Sequence, residues 1–156
     1  MNTNMLYYTR PAEYWMEALP LGNGSLGAMC DSGVETDEIS LNHDTLWTGH
    51  PRTVTREGAF ESYQKAQKLA LSGKYRECHD EIEQHFLSCW SQAYLTFGTL
   101  KLDFGFRAYS GYQRSLDLST AVLHSRFVAE GREYVKMAFV SRPHNVLVYR
   151  IEVPDG

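Results

Sequence analysis

The sequence predicts a mainly β protein, an antiparallel β-sandwich with a helical hairpin inserted around residues 57–86. From Thr99 onward, apolar and polar residues alternate with a period of two, as they do in half-buried strands. Short turns separate these strands, which favours an antiparallel sandwich or a large curved sheet. Between residues 57 and 86 the apolar residues recur every three or four positions, which is typical of amphipathic helices.

The first quarter of the chain consists of short extended segments interrupted by glycine and proline. Turns are predicted at Gly22-Asn23-Gly24-Ser25 and near Asp31–Gly33. The predicted elements are a strand at Leu6–Thr9, a strand or one helical turn at Tyr14–Leu19, and strands at Leu26–Cys30 and Glu38–Asn42.

The middle of the chain reads as two short helices joined at Ser72-Gly73. Gly73 occupies the position just after the C-terminus of the first predicted helix, where glycine is common. The apolar face of the first predicted helix consists of Phe60, Tyr63, Ala66 and Ala70, and that of the second of Tyr75, Cys78, Ile82 and Phe86.

The second half of the chain reads as a series of antiparallel strands. In the first of them Leu100, Leu102, Phe104 and Phe106 lie on one face. A hairpin turn is expected at Glu130-Gly131-Arg132. The later strands are predicted at Tyr112–Leu118, Val122–Ala129, Tyr134–Ser141 and Val146–Val153.

The last residues, Pro154-Asp155-Gly156, resemble a turn that leads into another strand. A sheet that stopped there would keep an exposed edge. We therefore expect the 156 residues to be a single domain that is incomplete at its C-terminal end.

Composition and charge exclude several classes of protein. The net charge is −4 and there is no run of Lys or Arg, which argues against nucleic acid or an anionic lipid surface as a partner. No segment approaches the roughly 20 apolar residues of a membrane span. The N-terminus lacks the apolar segment of a secretory signal, so a cytoplasmic location is expected.

Neither the cysteines nor the histidines indicate a metal or a cofactor. Cys30, Cys78 and Cys89 show no C-x-x-C spacing and are expected to be reduced thiols. The histidines show no metal-ligand spacing, so we expect no metal site. They are His43, His50, His79, His85, His124 and His144.

The segment Gly22-Asn23-Gly24-Ser25-Leu26-Gly27 matches the pattern G-x-G-x-x-G of dinucleotide-binding proteins. That function needs a strand before the glycines and a helix after them. Pro20 lies just upstream, and the residues after Gly27 are too few for such a helix. The pattern is therefore interpreted as a tight turn between two strands.

The densest polar cluster is Leu41-Asn42-His43-Asp44-Thr45-Leu46-Trp47. Asn42, His43 and Asp44 offer hydrogen bonds to sugar hydroxyls, and Trp47 offers a stacking face. Alternatively, Asn42 and Asp44 close a turn and Trp47 packs in a core. Aromatic residues make up 13% of the chain, which suits sugar stacking or a buried interface between domains. The carboxylates are scattered, and no catalytic pair is visible.

Several segments together resemble the start of glycoside hydrolase family 95, the bacterial inverting α-L-fucosidases. The similarity is collinear from about Leu6 to Val153. Its motifs are Pro11-Ala12-x-x-Trp15-x-x-Ala18-Leu19-Pro20-Leu21-Gly22-Asn23-Gly24-x-Leu26-Gly27-Ala28-Met29, Leu41-Asn42-His43-Asp44-Thr45-Leu46-Trp47-x-Gly49-x-Pro51-Arg52, Gly73-Lys74-Tyr75, Tyr94-x-x-x-Gly98-x-Leu100-x-Leu102-Asp103-Phe104 and Tyr112-x-Arg114-x-Leu116-Asp117-Leu118-x-Thr120-Ala121-Val122.

The resemblance implies that this chain is part of an N-terminal β-supersandwich. In that family a downstream (α/α)6 barrel carries the catalytic residues, so none is assigned here. The expected partners are that barrel, in the same polypeptide, and a fucosylated oligosaccharide bound by the whole enzyme. The expected role is to pack on the barrel and shape the substrate cleft. The candidate cleft residues are Asn23, Asn42, His43, Asp44 and Trp47.

Three alternatives remain open at this point. A free-standing carbohydrate-binding module would bind sugar by itself. A structural interaction domain would self-associate through an exposed edge or an aromatic face. Within the family, an α-L-galactosidase differs only by one substituent on the sugar, and no residue of this chain distinguishes the two activities.

Overall fold

A computed structural model describes residues 4–50, 54–88 and 91–153 of the chain. They form two compact units, a sandwich unit (Met1–Leu46 with Leu95–Gly156) and a helical unit (Trp47–Tyr94). The segment 154–156, predicted to start a further turn, lies outside the described residues, as does Cys89.

The sandwich unit consists of two antiparallel sheets, which confirms the predicted fold class. The five-stranded sheet has the order β1-β6-β7-β8-β9, and the four-stranded sheet has the order β2-β3-β4-β5. A short 3-10 helix at Trp15–Glu17 lies between β1 and β2. The described strands are β1 Met5–Tyr8, β2 Leu19–Gly22, β3 Leu26–Cys30, β4 Thr36–His43, β5 Gly98–Asp103, β6 Ser110–Asp117, β7 Val122–Ala129, β8 Arg132–Ser141 and β9 Val146–Glu152.

The main core lies between the two sheets, because alternate residues of each strand point inward. Ile39 of β4 and Ala138 of β8 are fully buried at its centre. A second cluster of buried residues is centred on Phe127 of β7. The buried members of the main core are Leu19, Leu21, Ala28, Cys30, Ile39, Leu116, Leu123 and Ala138.

The prediction that strand pairing extends to Phe106 was wrong, since β5 ends at Asp103. The carbonyl of Glu35 accepts hydrogen bonds from the amides of Phe104, at 2.9 Å, and Gly105, at 3.2 Å. Gly105 has a φ of +71°, which turns the chain out of the sheet. This bend brings the ring of Phe106 to 5.9 Å from that of Phe127, in the second core cluster.

The helical unit contains the predicted hairpin. Helix α1 spans Ala59–Leu71, and α2 spans Tyr75–Glu81 and continues into a π turn at Ile82–Phe86. Gly73 has a φ of +75°, as expected for the residue that ends α1. No helix in the described parts of the chain is both long and apolar enough to cross a membrane.

The buried face of α1 differs from the predicted one. Phe60 is 66% exposed and Tyr63 is 50% exposed. The buried positions are Ala66, which belongs to the predicted face, and Ser62, which does not; the two lie one helical turn apart. The reason is a polar contact, because the hydroxyl of Ser62 donates a 3.0 Å hydrogen bond to the buried carboxylate of Glu81.

Candidate functional site

One end of the sandwich unit carries a group of polar side chains that we call the polar rim: Asn23, Ser25, His43, Asp44 and Asn145. They come from three places in the sequence. Asn23 and Ser25 lie in the β2–β3 turn, His43 ends β4 and is followed by Asp44, and Asn145 lies in the β8–β9 turn. The sandwich topology brings these turns together because β2, β3 and β4 are neighbours in one sheet and β8 and β9 in the other.

Asn23 is the anchor of the polar rim. Its Oδ1 accepts hydrogen bonds from the backbone amides of Ser25 and Leu26, both at 2.9 Å. Its Nδ2 donates to the carbonyl of Ser141 at 3.1 Å and to Oδ1 of Asn145 at 2.8 Å. The residue therefore closes its own turn and also joins the two sheets. The glycine-rich segment is a turn between β2 and β3, as predicted from the sequence.

The orientation of Asn23 fixes the hydrogen bonds of His43. Because Oδ1 of Asn145 accepts from Asn23, its Nδ2 faces Nε2 of His43, at 3.3 Å. The backbone amide of Thr45 donates to Nδ1 at 3.3 Å, so both ring nitrogens of His43 face a nitrogen donor. Nδ1 lies 2.9 Å from the Thr45 hydroxyl and 3.1 Å from Oδ1 of Asp44.

Asp44 and Asn42 complete the stretch identified in the sequence. The Asp44 carboxylate accepts a 3.3 Å hydrogen bond from the Ser25 hydroxyl, and its amide donates to the Ser25 carbonyl at 3.0 Å. Oδ1 of Asn42 accepts from the His43 amide at 2.8 Å. Strand alternation directs Asn42 to the outer face of the four-stranded sheet, opposite the inward positions of β4.

Trp47 belongs to the helical unit, whereas the other four candidates belong to the sandwich unit. It forms an isolated antiparallel bridge with Tyr94, and the two ring centroids are 4.9 Å apart. The Trp47 side chain is 48% exposed, so it is not packed in a core. Its exposed ring offers an apolar contact surface.

A buried charged network, which the sequence analysis did not identify, lies inside the sandwich. Nζ of Lys136 donates to Oδ2 of Asp37 at 2.6 Å, and the hydroxyl of Tyr149 donates to the same oxygen at 2.5 Å. Burial lowers the pKa of Lys136 and raises that of Tyr149. The signal in the sequence is a charged residue at an inward-facing position of a strand. Asp37 lies two residues before the buried Ile39 of β4, and Lys136 lies two residues before the buried Ala138 of β8.

Asp31 borders this network. Its Oδ1 accepts from the amides of Gly33 at 3.0 Å and Glu38 at 2.8 Å. Burial, together with a hydrogen bond between the two carboxyl groups of Asp31 and Asp37, raises the pKa of Asp31 to about 7. Oδ1 of Asp37 is buried and has no other hydrogen-bond partner in the described structure.

Among the described residues, the cysteines and the potential metal ligands form no further reactive or metal-binding site. Cys30 and Cys78 are free cysteines. Burial raises the pKa of the Cys30 thiol to about 12, which makes it a poor nucleophile. No group of three or more His, Cys, Asp or Glu side chains in residues 4–50, 54–88 and 91–153 is arranged to hold a metal ion.

The polar rim supplies hydrogen bonds rather than acid–base chemistry. It contains one carboxylate, Asp44, together with one imidazole and two amides. Glycoside hydrolysis with inversion needs two carboxyl groups about 6.5–9.5 Å apart. The rim is therefore suited to form hydrogen bonds with the hydroxyls of a sugar.

Comparison with known proteins places these observations in a family. Residues 6–155 match the family described as glycosyl hydrolase family 65, N-terminal domain. The chain is 32% identical over 150 residues to a protein of Arabidopsis thaliana named alpha-L-fucosidase 2. It is 33% identical over 153 residues to a probable alpha-fucosidase A of Aspergillus niger, and 30% identical over 148 residues to one of Aspergillus oryzae.

These matches cover most of this chain but only a small part of each relative. They include 94% of the chain for the plant protein and 86% for each fungal protein. The chain spans about a fifth of the relatives' length, namely 18%, 18% and 19%. The relatives are plant and fungal proteins, so they do not support the bacterial origin expected from the sequence. They do not distinguish family 95 from family 65 either.

Proposed function

This chain belongs to the glycosyl hydrolase family 65 N-terminal domains, and we propose that it is the non-catalytic N-terminal part of an inverting α-L-fucosidase. The relatives named as fucosidases support the substrate class, since the similarity to them extends along nearly the whole chain. The whole enzyme would remove a terminal α-linked L-fucose from an oligosaccharide. The sister activity, α-L-galactosidase, remains the alternative within this proposal.

The chemistry of the polar rim supports a non-catalytic role. Its single carboxylate, Asp44, already accepts a hydrogen bond from Ser25 and lies 3.1 Å from Nδ1 of His43. An inverting enzyme needs a second carboxyl group across a water molecule. In this proposal a downstream barrel of the same polypeptide supplies both catalytic carboxyl groups, and the sandwich packs against it.

The observation that carries the proposal is the fixed hydrogen-bond chain from Asn23 through Asn145 to His43. A substrate-binding residue must be held in its productive orientation by its neighbours. His43 is oriented in this way at the open end of the sandwich and is only partly buried. We infer that the polar rim contributes one wall of the substrate cleft.

The experiment replaces His43 in the full-length enzyme. His43→Ala should lower kcat/KM for a fucosylated oligosaccharide at least tenfold, which corresponds to about 1.4 kcal/mol of lost transition-state stabilisation. The matched control is His79→Ala, because His79 is an exposed histidine of helix α2. It should leave kcat and KM unchanged. A double variant, His43→Ala with Trp47→Ala, that kept wild-type turnover and KM would contradict the role in the cleft.

The non-catalytic role is tested with the 156-residue chain itself. Incubated with an aryl α-L-fucoside, the chain should release no fucose above the buffer control. Measurable release that disappears in an Asp44→Asn variant would show that this domain contains catalytic groups.

A further inference from the structure

A cleft of about 320 Å³ lies on the outer face of the four-stranded sheet, within the sandwich unit. Its floor includes Met29 and Ser40, which pair directly across β3 and β4. Its wall is the segment 12–15 with Ala18, which precedes β2. The volume is at the lower end of the range of about 300–1,000 Å³ for small-molecule sites. Its residues are distinct from those of the polar rim.

The wall of the cleft is held in place by its own hydrogen bonds. The guanidinium of Arg10 donates to both carboxylate oxygens of Glu17, at 3.0 and 2.6 Å. The amide of Glu13 donates to Glu17 at 3.0 Å, and the amide of Ala12 donates to the carbonyl of Asp31 at 3.1 Å. A cleft with such a wall is formed before any ligand arrives, which lowers the cost of binding.

Two large aromatic side chains line this cleft and remain exposed. Trp15 is 59% exposed and Tyr14 is 65% exposed. Tryptophan is normally well buried, so an exposed one beside a cleft is an informative exception. Their rings present flat apolar surfaces with a polar edge, which is the type of surface that contacts the C–H face of a sugar ring.

The charges around the cleft favour a neutral ligand. Glu13 is paired with Arg10 at 3.1 Å, and Glu38 is paired with Lys101 at 2.6 Å. The third carboxyl group, Asp31, has a pKa raised to about 7, mainly by burial, so near neutral pH it is partly protonated. The carboxyl oxygens repel an anion. Because Arg10 and Lys101 neutralise Glu13 and Glu38, the cleft also attracts a cation only weakly.

The remaining polar groups are hydroxyls at the floor of the cleft. Thr36 and Ser40 each contribute a hydroxyl that can both donate and accept. Aromatic walls with a few convergent groups of this kind are complementary to a polyhydroxylated molecule.

We propose that this cleft binds one or two units of a neutral saccharide, with Trp15 and Tyr14 as apolar contacts and Thr36 and Ser40 as hydrogen-bonding groups. It would be a second sugar site, on a different surface from the polar rim. The inference stands on the chemistry of the cleft and is independent of the fucosidase assignment.

The test is isothermal titration calorimetry of the 156-residue chain with lactose and with 2′-fucosyllactose. Saturable binding is expected for at least one of them, and Trp15→Ala should weaken it at least about tenfold, as for an aromatic anchor of a binding site. Phe60→Ala is the matched control, because it removes a similarly exposed aromatic ring from helix α1. It should leave the affinity unchanged.

A second variant keeps the test decisive if Trp15→Ala does not fold. Ser40→Tyr fills the floor of the cleft, and tyrosine suits a strand position. It should abolish binding while the far-UV circular dichroism stays that of the wild type. Absence of binding to both saccharides, or binding that survives Trp15→Ala and Ser40→Tyr, would overturn the proposal. Binding of tetramethylammonium in place of the saccharides would also overturn it.

These results are separate from those for the proposed function. The titration measures binding by this chain without any catalysis, whereas the His43 experiment measures turnover by the full-length enzyme. If the chain binds no saccharide, the proposed role of the polar rim in turnover still stands. If His43→Ala leaves turnover unchanged, the proposed saccharide site in the cleft still stands.

Discussion

Nζ of Lys136 lies 2.6 Å from Oδ2 of Asp37, and both side chains are 2% exposed. Lys136 belongs to β8 of the five-stranded sheet and Asp37 to β4 of the four-stranded sheet, so this ion pair joins the two layers. Nζ also donates to the carbonyl of Gly33 at 2.5 Å and lies 5.5 Å from the centre of the Phe127 ring. These contacts compensate part of the cost of burying two charges.

Removal of the ammonium should therefore be strongly destabilising. Lys136→Met leaves the Asp37 carboxylate buried without its counter-ion, which costs about 3–5 kcal/mol. Urea denaturation should show a lower midpoint with an unchanged slope. A loss of less than about 1 kcal/mol would mean that the pair is not buried as described.

The control for this prediction removes both charges. The double variant Lys136→Met with Asp37→Asn should lose less stability than the sum of the two single variants, because no uncompensated charge remains. Additive losses would show that the two side chains do not interact.

Gly33 should tolerate no side chain. A Cβ built on Gly33 would lie 1.8 Å from the carbonyl oxygen of Thr36, well inside contact distance. Gly33→Ala must push this backbone apart and with it the carbonyl that Lys136 contacts, so a loss of about 1–3 kcal/mol or more is expected. Thermal unfolding followed by circular dichroism measures it.

Gly27→Ala is the matched control for Gly33→Ala. Gly27 lies in the neighbouring strand β3, and a Cβ there would meet nothing within 4 Å. This variant should be as stable as the wild type or slightly more stable, since alanine lowers the entropy of the unfolded chain. Equal destabilisation by both variants would contradict the close approach at Gly33.

Asp31 should make stability fall as the pH rises. Its pKa is raised from 3.8 to about 7 in the folded protein, mainly by burial, so between these values the folded state binds more protons than the unfolded chain. The contribution of Asp31 to the free energy of unfolding is therefore greatest below pH 4, decreases as the pH rises towards 7, and is constant above that.

Asp31→Asn tests this pH dependence. Its amide keeps an oxygen for the Gly33 and Glu38 amides and provides an N–H toward Asp37, like the protonated acid. The difference in Tm, variant minus wild type, should become more positive from pH 4 to pH 7 and then stay level. A difference that becomes more negative over that range would refute the raised pKa.

The strands could be predicted because each has a local signature. Leu26–Cys30 and Val122–Ala129 were predicted with the bounds that the structure shows. The predicted end of a strand was wrong where a backbone group distant in the sequence determines where that strand ends. The carbonyl of Glu35 ends β5 by accepting the amides of Phe104 and Gly105, and no periodicity near residue 104 contains that information.

The polar rim could be predicted only in part. Asn23, His43 and Asp44 were identified because polar residues are dense in the sequence near glycine and tryptophan. Asn145 was missed, since it lies 102 residues from His43 and only the pairing of the sheets brings the two together. The cleft beside Trp15 was missed for the same reason, because its floor comes from β3 and β4.

The sequence by itself determined the fold class, the helical insertion and the family resemblance, because alternation, helical spacing and turn residues act over a few neighbouring positions. Only the tertiary structure decided which polar groups face one another. Asp37 and Lys136 are 99 residues apart, and each alone at a core position would be costly. Packing of the two sheets turns these two isolated charges into a pair, and the same packing forms the polar rim.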